Sequence, residues 1–263
     1  MKNSLAATSI SARFAAAART YDLESGVQMS VAENLSAFLP LSETIGSVLE
    51  IGCGTGYFTE ILAKRFPPAT IDALDISAPM IDSARKRIAE SANICWHTAD
   101  ARTFCPGRQF SLIASSSALH WITPADVIMK RIAALLEPCG SVAAALMVQG
   151  TLGELFAART RLFPQKALPV LLPAEGEILK AVEAAGLDVV KSRCETLQKT
   201  CGSTRELLRS LNRQGVTGRS DTRCALLNRT ELHELIDYYD RQFCAPQGGV
   251  TVTWRVLYVT ARK

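Results

Sequence analysis

Glu50, Gly52, Gly54 and Gly56 are spaced so that a buried strand can hand over to a helix while leaving the main chain bare. Residues 48–51 read as the strand, and those after Gly56 as an amphipathic helix. Glycine accepts backbone angles closed to other residues and puts no side chain between chain and ligand, so an adenosine-bearing molecule can lie close. A dinucleotide fingerprint would need its third glycine at Tyr57, one position later than Gly56. A tight turn without a ligand uses the same residues, so the motif alone leaves both readings open. Residues 70–75 favour the first, because this second strand ends in Asp75 about 20 residues after the glycines, where α/β sheets offer a carboxylate to ribose hydroxyls. Asp75 is the expected ribose ligand. Ser77 then caps a helix with Pro79 in its first turn, and Met80 either covers an adenine face or belongs to the core.

The elements that must position these groups follow in order. Residues 94–97 form a third strand, and Asp100 and Ala101 fall just beyond its carboxyl end, where open α/β sheets bind ligands. Asp100 either accepts the adenine amino group, with Ala101 offering backbone, or caps its own loop. Residues 110–117 form a fourth strand that runs into His120 and Trp121 at the mouth of the same crevice, although His120 can equally bond locally. Thr123-Pro124-Ala125-Asp126 starts a helix that reaches about residue 137, with Thr123 as cap. Pro138-Cys139-Gly140 turns it into an apolar fifth strand, 141–148, suited to burial on both faces. A helix ending at Gly186 precedes a strand over 187–195, and residues 250–259 form the last strand, expected as an antiparallel edge.

Ser203-Thr204-Arg205-Glu206 has capping-box spacing and opens a helix carrying Leu207, Leu208 and Leu211 on one side. Arg205, Arg209, Arg213, Arg219 and Arg223 concentrate positive charge there, against Glu206 and Asp221 as acids. The stripe is either a surface for an acidic partner or a solvated helix face.

Composition sets the bounds. The chain's 263 residues, 48% of them hydrophobic, can bury one substantial α/β core with room for an insertion. A net charge of +4 argues against a general nucleic-acid binder, and with it against an RNA methyltransferase. Cysteines occur at 53, 95, 105, 139, 194, 201, 224 and 244 without a C-x-x-C pair, which reads as reduced thiols in cytoplasm. No run approaches the roughly 18 apolar residues of a membrane span. Residues 1–21 are rich in Ala and Ser, carry Lys2, Arg13 and Arg19 and lack acids, as an organellar transit segment would, so that reading stays open. No metal-ligand spacing is present, and no metal is expected.

The strand, glycine loop and following acid resemble motif I and its partner in the class I S-adenosylmethionine (SAM) methyltransferases. Arg13-Phe14, Tyr21-Asp22 and Gln28 sharpen this, being similar to the amino-terminal helix of the malonyl-acyl-carrier-protein O-methyltransferases of biotin synthesis (BioC family). Residues 118–121, 149–155, 207–218 and 252–258 resemble the same family in register. The resemblance implies a seven-stranded Rossmann-like sheet with helices on both faces and one domain over 1–263. Residues 9–40 would form a lid, with helical insertions at about 150–172 and 202–245. It implies SAM as cofactor, held by Gln28, Glu50, Gly52, Cys53, Gly54 and Gly56, then by Asp75, Ile76 and Met80, and by Asp100, Ala101 and Ser116. Tyr21, His120 and Trp121 would position the substrate, although Tyr21 can also be a core aromatic with a wet hydroxyl. Gln149, Arg205, Arg209 and Arg213 would meet a malonyl group on an acidic carrier protein, with no nucleic acid and no membrane involved. An arginine is expected as counter-charge to the malonyl carboxylate. Ser116 stands where the family often has Asn, Ser111 where Asp is usual, and Trp254 where Tyr is common. Other readings are a methyltransferase of another small carboxylate and a non-catalytic SAM-binding partner protein.

Overall fold

The seven strands are β1 (Ser47–Ile51), β2 (Thr70–Asp75), β3 (Ile94–Thr98), β4 (Phe110–Ser116), β5 (Leu136–Met147), β6 (Asp188–Cys201) and β7 (Val250–Arg262). They hydrogen-bond in the order β3-β2-β1-β4-β5-β7-β6. The computed structural model describes residues 2–41, 45–88, 93–167, 172–216 and 226–263. Strands β1 to β5 pair in parallel, while β7 runs antiparallel to both β5 and β6. The last strand is therefore antiparallel, as expected, but it is not an edge. β6 takes the edge, and β7 is buried between two neighbours because Val252, Val256, Leu257, Tyr258 and Val259 all need cover.

Alternation along the strands divides the core. Val48, Leu112, Ala143 and Tyr258 face one apolar cluster; their neighbours Leu49, Ile113, Ala144 and Leu257 face a second. Helices α3 (Gly26–Ser36), α4 (Tyr57–Arg65), α7 (Gly153–Leu162), α9 (Thr204–Arg213) and α10 (Arg229–Gln242) contribute to the first cluster. Helices α6 (Ala125–Leu135) and α8 (Glu175–Ala184) contribute to the second. Parallel strands covered on both faces need the near-continuous apolar sequences that β1, β4 and β5 carry.

Several boundaries moved. The α6 helix stops at Leu135 and β5 begins at Leu136, because Pro138, Cys139 and Gly140 form an irregularity inside the strand, with Cys139 at φ 63°, and not a turn before it. At the helix starts, Ser77 and Pro124 are the cap positions of α5 (Ala78–Arg87) and α6, yet neither helix has a side-chain cap hydrogen bond. Ser203 does cap α9, accepting from the Glu206 N–H at 3.2 Å. α10 lies within the helical insertion expected at about 202–245, and its reciprocal Asn228/Glu231 capping box was not read from the sequence. Arg219, Asp221 and Arg223 lie outside the described residues. The described cysteines are free.

The amino-terminal region forms α1 (Lys2–Ala17), α2 (Tyr21–Glu24) and α3. α2 is held from both sides. Toward the sheet, Asp22 accepts from the Thr55 hydroxyl at 2.5 Å and from Arg87, whose Nε also donates to the Thr55 carbonyl at 3.0 Å. Toward α9, Glu24 meets Arg213 at 3.0 Å and the Thr20 hydroxyl donates to the Arg213 carbonyl at 2.9 Å. No helix among the described residues is long and apolar enough to cross a membrane.

Candidate active site

The sheet reverses its order between β1 and β4, and their carboxyl ends open the crevice that such a switch point makes available to ligands. Gly52, Gly54 and Gly56 all sit at positive φ, at 76°, 54° and 85°. Their roles differ. A β-carbon on Gly52 would stand 2.2 Å from that of Ala118, and one on Gly56 3.0 Å from that of Ala84, so both glycines let chain segments touch. A β-carbon on Gly54 meets nothing within 4 Å and would project into open space, the cradle a ligand can use.

The loop is anchored to the end of β2. Gly52 and Cys53 both donate their N–H groups to the Leu74 carbonyl, at 2.7 and 3.0 Å. The Asp75 carboxylate accepts from Gly54 N–H at 3.0 Å and Ser77 N–H at 2.8 Å. Burial pushes the Asp75 carboxyl above its ordinary value in spite of those bonds. The Cys53 thiol is buried and pushed up by burial and by Glu50 and Asp75, which keeps it protonated and inert. Ile76 offers its carbonyl to the Ser11 hydroxyl at 3.1 Å, so α1 lies across this end of β2.

Glu50 is 1% exposed, and its carboxylate accepts from the Thr59 hydroxyl at 2.6 Å. Burial pushes it up to about 8. The unfolded chain then loses this proton near 4.5 while the native chain holds it until about 8. Stability therefore falls as pH rises through that window. Glu50→Gln should remove this slope, by a few kcal/mol between pH 5 and pH 8. Urea midpoints at both pH values check it; parallel pH dependences for wild type and variant would refute it.

Asp100 follows the local alternative: its carboxylate accepts from the Arg102 N–H at 2.9 Å and from the Arg102 guanidinium at 2.5 Å. Burial would raise this carboxyl, and the Arg102 bonds and charge bring it below its ordinary value. Met80 is 2% exposed. Ser116 closes β4, and Ser111 bonds Ser47 at the opposite end of the strands, away from the crevice.

Beside the loop lies a cavity of about 130 Å³. Its walls include Phe14, Tyr21 and Gln28 from the amino-terminal helices, and Ser117, His120 and Trp121 from the segment after β4. Met147, Thr151, Leu152, Leu211, Gln214 and Trp254 come from β5, α9 and their neighbours. Phe14 meets Trp121 edge-on with centroids 5.5 Å apart. Burial and the negative Asp75 and Asp22 push the Tyr21 phenol up, so it stays an O–H donor. His120 is 6% exposed, and its Nδ1 accepts from the Met147 N–H at 3.3 Å. The neutral ring then carries its proton on Nε2.

The remaining expected residues fall as follows. No arginine or lysine is among the described residues of the cavity wall, and Arg219 and Arg223 lie outside the described residues. Gln149 is exposed, with its N–H on the Pro173 carbonyl, and Thr151 and Leu152 take the wall position instead. Arg205 and Arg209 are exposed on α9, but Arg213 is bound to Glu24. Sequence reasoning missed Gln214 and Ser117; the positive φ of Ser117, 57°, left no trace in a serine-rich strand end.

The residues present fit an adenosyl cofactor. Besides the open space at Gly54, the buried oxygens Gln28 Oε1, Ser77 Oγ and Ser117 Oγ have no hydrogen-bond partner among the described residues. Native proteins seldom leave such atoms unpaired without a ligand or water.

Comparison with known proteins agrees. Residues 48–140 match the family model of a methyltransferase domain. A malonyl-[acyl-carrier protein] O-methyltransferase of Ilyobacter polytropus is 31% identical over 59% of this chain and 58% of its own length, so that match spans little more than half the relative. A Paenibacillus protein of the same name is 29% identical over 92% of this chain and 94% of that one. In solved structures, a Bacillus halodurans protein assigned to the methyltransferases superposes with a TM-score of 0.64 at 14% identity, covering 89% of this chain and 99% of that one. The sheet is that of the class I methyltransferases.

Proposed function

We propose that this chain is a SAM-dependent carboxyl O-methyltransferase that esterifies the free carboxylate of a malonyl group carried on an acyl-carrier protein, in the synthesis of pimelate and biotin. We read residues 1–263 as one catalytic unit, with α1 to α3 as its lid. The observation that carries the substrate class is the cavity. Its 130 Å³ is close to the roughly 150 Å³ that holds a six-carbon ring, and a malonyl thioester presents about seven heavy atoms. Tyr21, His120 and Trp121 bring hydrogen-bond donors to its wall, whereas a malonyl thioester offers oxygen acceptors and no donor. Similarity over nearly the whole chain to proteins named for this substrate supports the same reading.

When bound, SAM supplies an electrophilic methyl on a sulfonium sulfur. Gly54 leaves room for it, Asp75 faces its ribose, and Gln28 and Ser117 take its remaining polar groups. A carboxyl group with a pKa of about 4 is already ionised at neutral pH, so its oxygen attacks without a base and releases no proton. His120 is therefore a positioning donor. Tyr21, His120 and Trp121 orient the carboxylate and thioester, and the aromatic wall excludes water. Alignment of this kind can supply roughly 7–11 kcal/mol of barrier reduction.

The deciding experiment incubates the protein with SAM and malonyl-carrier protein and reads the carrier's mass and S-adenosylhomocysteine release. Gain of one methyl on the malonyl group supports the proposal. An unmodified carrier with a methylated free acid points to another small carboxylate, and cofactor binding without turnover to a non-catalytic partner.

Arg205 and Arg209, exposed four residues apart on α9, form the surface we assign to an acidic carrier. Reversing both charges should lower kcat/KM roughly tenfold at low ionic strength and less as salt rises, with kcat at saturation unaltered. Salt-independent kcat/KM in the wild type would remove this docking surface.

A further inference from the structure

Gln214 follows α9 and is 6% exposed. Its Nε2 donates to the Glu24 carbonyl at 2.9 Å and to the Ser210 hydroxyl at 3.1 Å, while its Oε1 accepts from Gln28 Nε2 at 2.9 Å. The direction of this chain is fixed at one end. A backbone carbonyl can only accept, so the Gln214 atom facing Glu24 is the amide nitrogen. Its oxygen must then face Gln28, and Gln28 must answer with its own nitrogen. The Gln28 oxygen is left over, a buried acceptor in the cavity wall with no partner among the described residues. Buried acceptors are ordinarily paired, so this one awaits a donor.

Within the methyltransferase reading, on which this inference rests, the malonyl thioester group that enters the cavity offers no donor. The ribose hydroxyls fall to Asp75, and the adenine amino group lies at the far end of the adenosine from the sulfonium, which leaves the α-ammonium of the cofactor's amino-acid tail. We propose that Gln214 is a positioning residue that turns the Gln28 carbonyl toward that ammonium, linking the α9 insertion to the cofactor site through a two-amide relay. A glutamine at 28 without Gln214 could present either end of its amide. With Gln214 anchored on Glu24, only the oxygen is presented.

Calorimetric titration of wild type, Gln214→Leu, Gln28→Leu and the double variant tests this with three ligands. They are S-adenosylhomocysteine, its analogue lacking the α-amino group, and 5′-methylthioadenosine, which lacks the tail. Wild type should prefer S-adenosylhomocysteine to the deaminated analogue by at least about tenfold, the value of a hydrogen bond to a charged group. Gln214→Leu should erase that preference while leaving methylthioadenosine affinity unchanged, and the double variant should bind no more weakly than Gln28→Leu alone. Equal losses for all three ligands, or additive losses in the double variant, would overturn the relay. So would a wild type indifferent to the amino group, a result that needs no variant to fold. If wild type fails to bind S-adenosylhomocysteine at all, the methyltransferase reading falls instead.

Discussion

Gly52→Ala and Gly54→Ala should damage the protein in different ways, although the two residues stand two apart in the same loop. At Gly52 an added methyl meets the Ala118 side chain at 2.2 Å and the residue holds φ 76°. Overpacking and a left-handed backbone each cost about 1–3 kcal/mol, so the melting temperature should fall on the order of 5–15 °C. The Ala118 segment leads into His120 and Trp121, and turnover should fall with it. At Gly54 the methyl meets nothing, so only the backbone term of about 1–2 kcal/mol applies and the fold should survive with a small loss of melting temperature. The methyl then occupies the ligand's space, and affinity for S-adenosylhomocysteine should drop tenfold or more. Thermal melts paired with titration calorimetry separate the two. A Gly54→Ala variant that binds as wild type does would mean that the cradle lies elsewhere.

Asp75→Ala should lose affinity and stability together, because one carboxylate serves both. Its oxygens satisfy the Gly54 and Ser77 N–H groups, and each buried donor left unpaired costs about 1–3 kcal/mol. The ribose hydroxyls lose an acceptor at the same time, worth a further 1.5–3 kcal/mol of binding, or roughly 10- to 150-fold in affinity. Asp75→Asn separates the roles in part: its one oxygen keeps one N–H bond, while its amide nitrogen is turned against the other donor. It should melt between wild type and Asp75→Ala, and bind the cofactor weakly. Wild-type melting and wild-type affinity in both variants would place the ribose elsewhere and leave the glycine loop as a plain turn.

Much of this protein is determined within short reach along the chain. A strand, a glycine loop, a helix and a second strand ending in an acid specify β1, α4, β2 and the Asp75 anchor, because strand–turn–helix geometry depends on residues about 20 apart. The same locality made the arginine stripe of α9 visible and marked the alternating strands and helices of the parallel half of the sheet. The end of the fourth strand placed His120 and Trp121 at the crevice, and resemblance supplied Tyr21 and Gln28, which come from helices that the fold lays over it.

What the tertiary structure alone decided lies between residues far apart. Gln28 and Gln214 are 186 positions distant, and Asp22 and Arg87 are 65. Nothing in either local sequence marks its partner, since hydrogen bonding between side chains follows from how helices settle on the sheet. The same packing placed β7 inside the sheet, because an apolar strand gains more from two neighbours than from one. It also spent Arg213 on Glu24 and Asp100 on Arg102, contacts that a list of charged residues could not rank. A single sequence carries propensity and period; which polar groups are used up in holding the fold, and which stay unpaired for a ligand, is settled only when the elements meet.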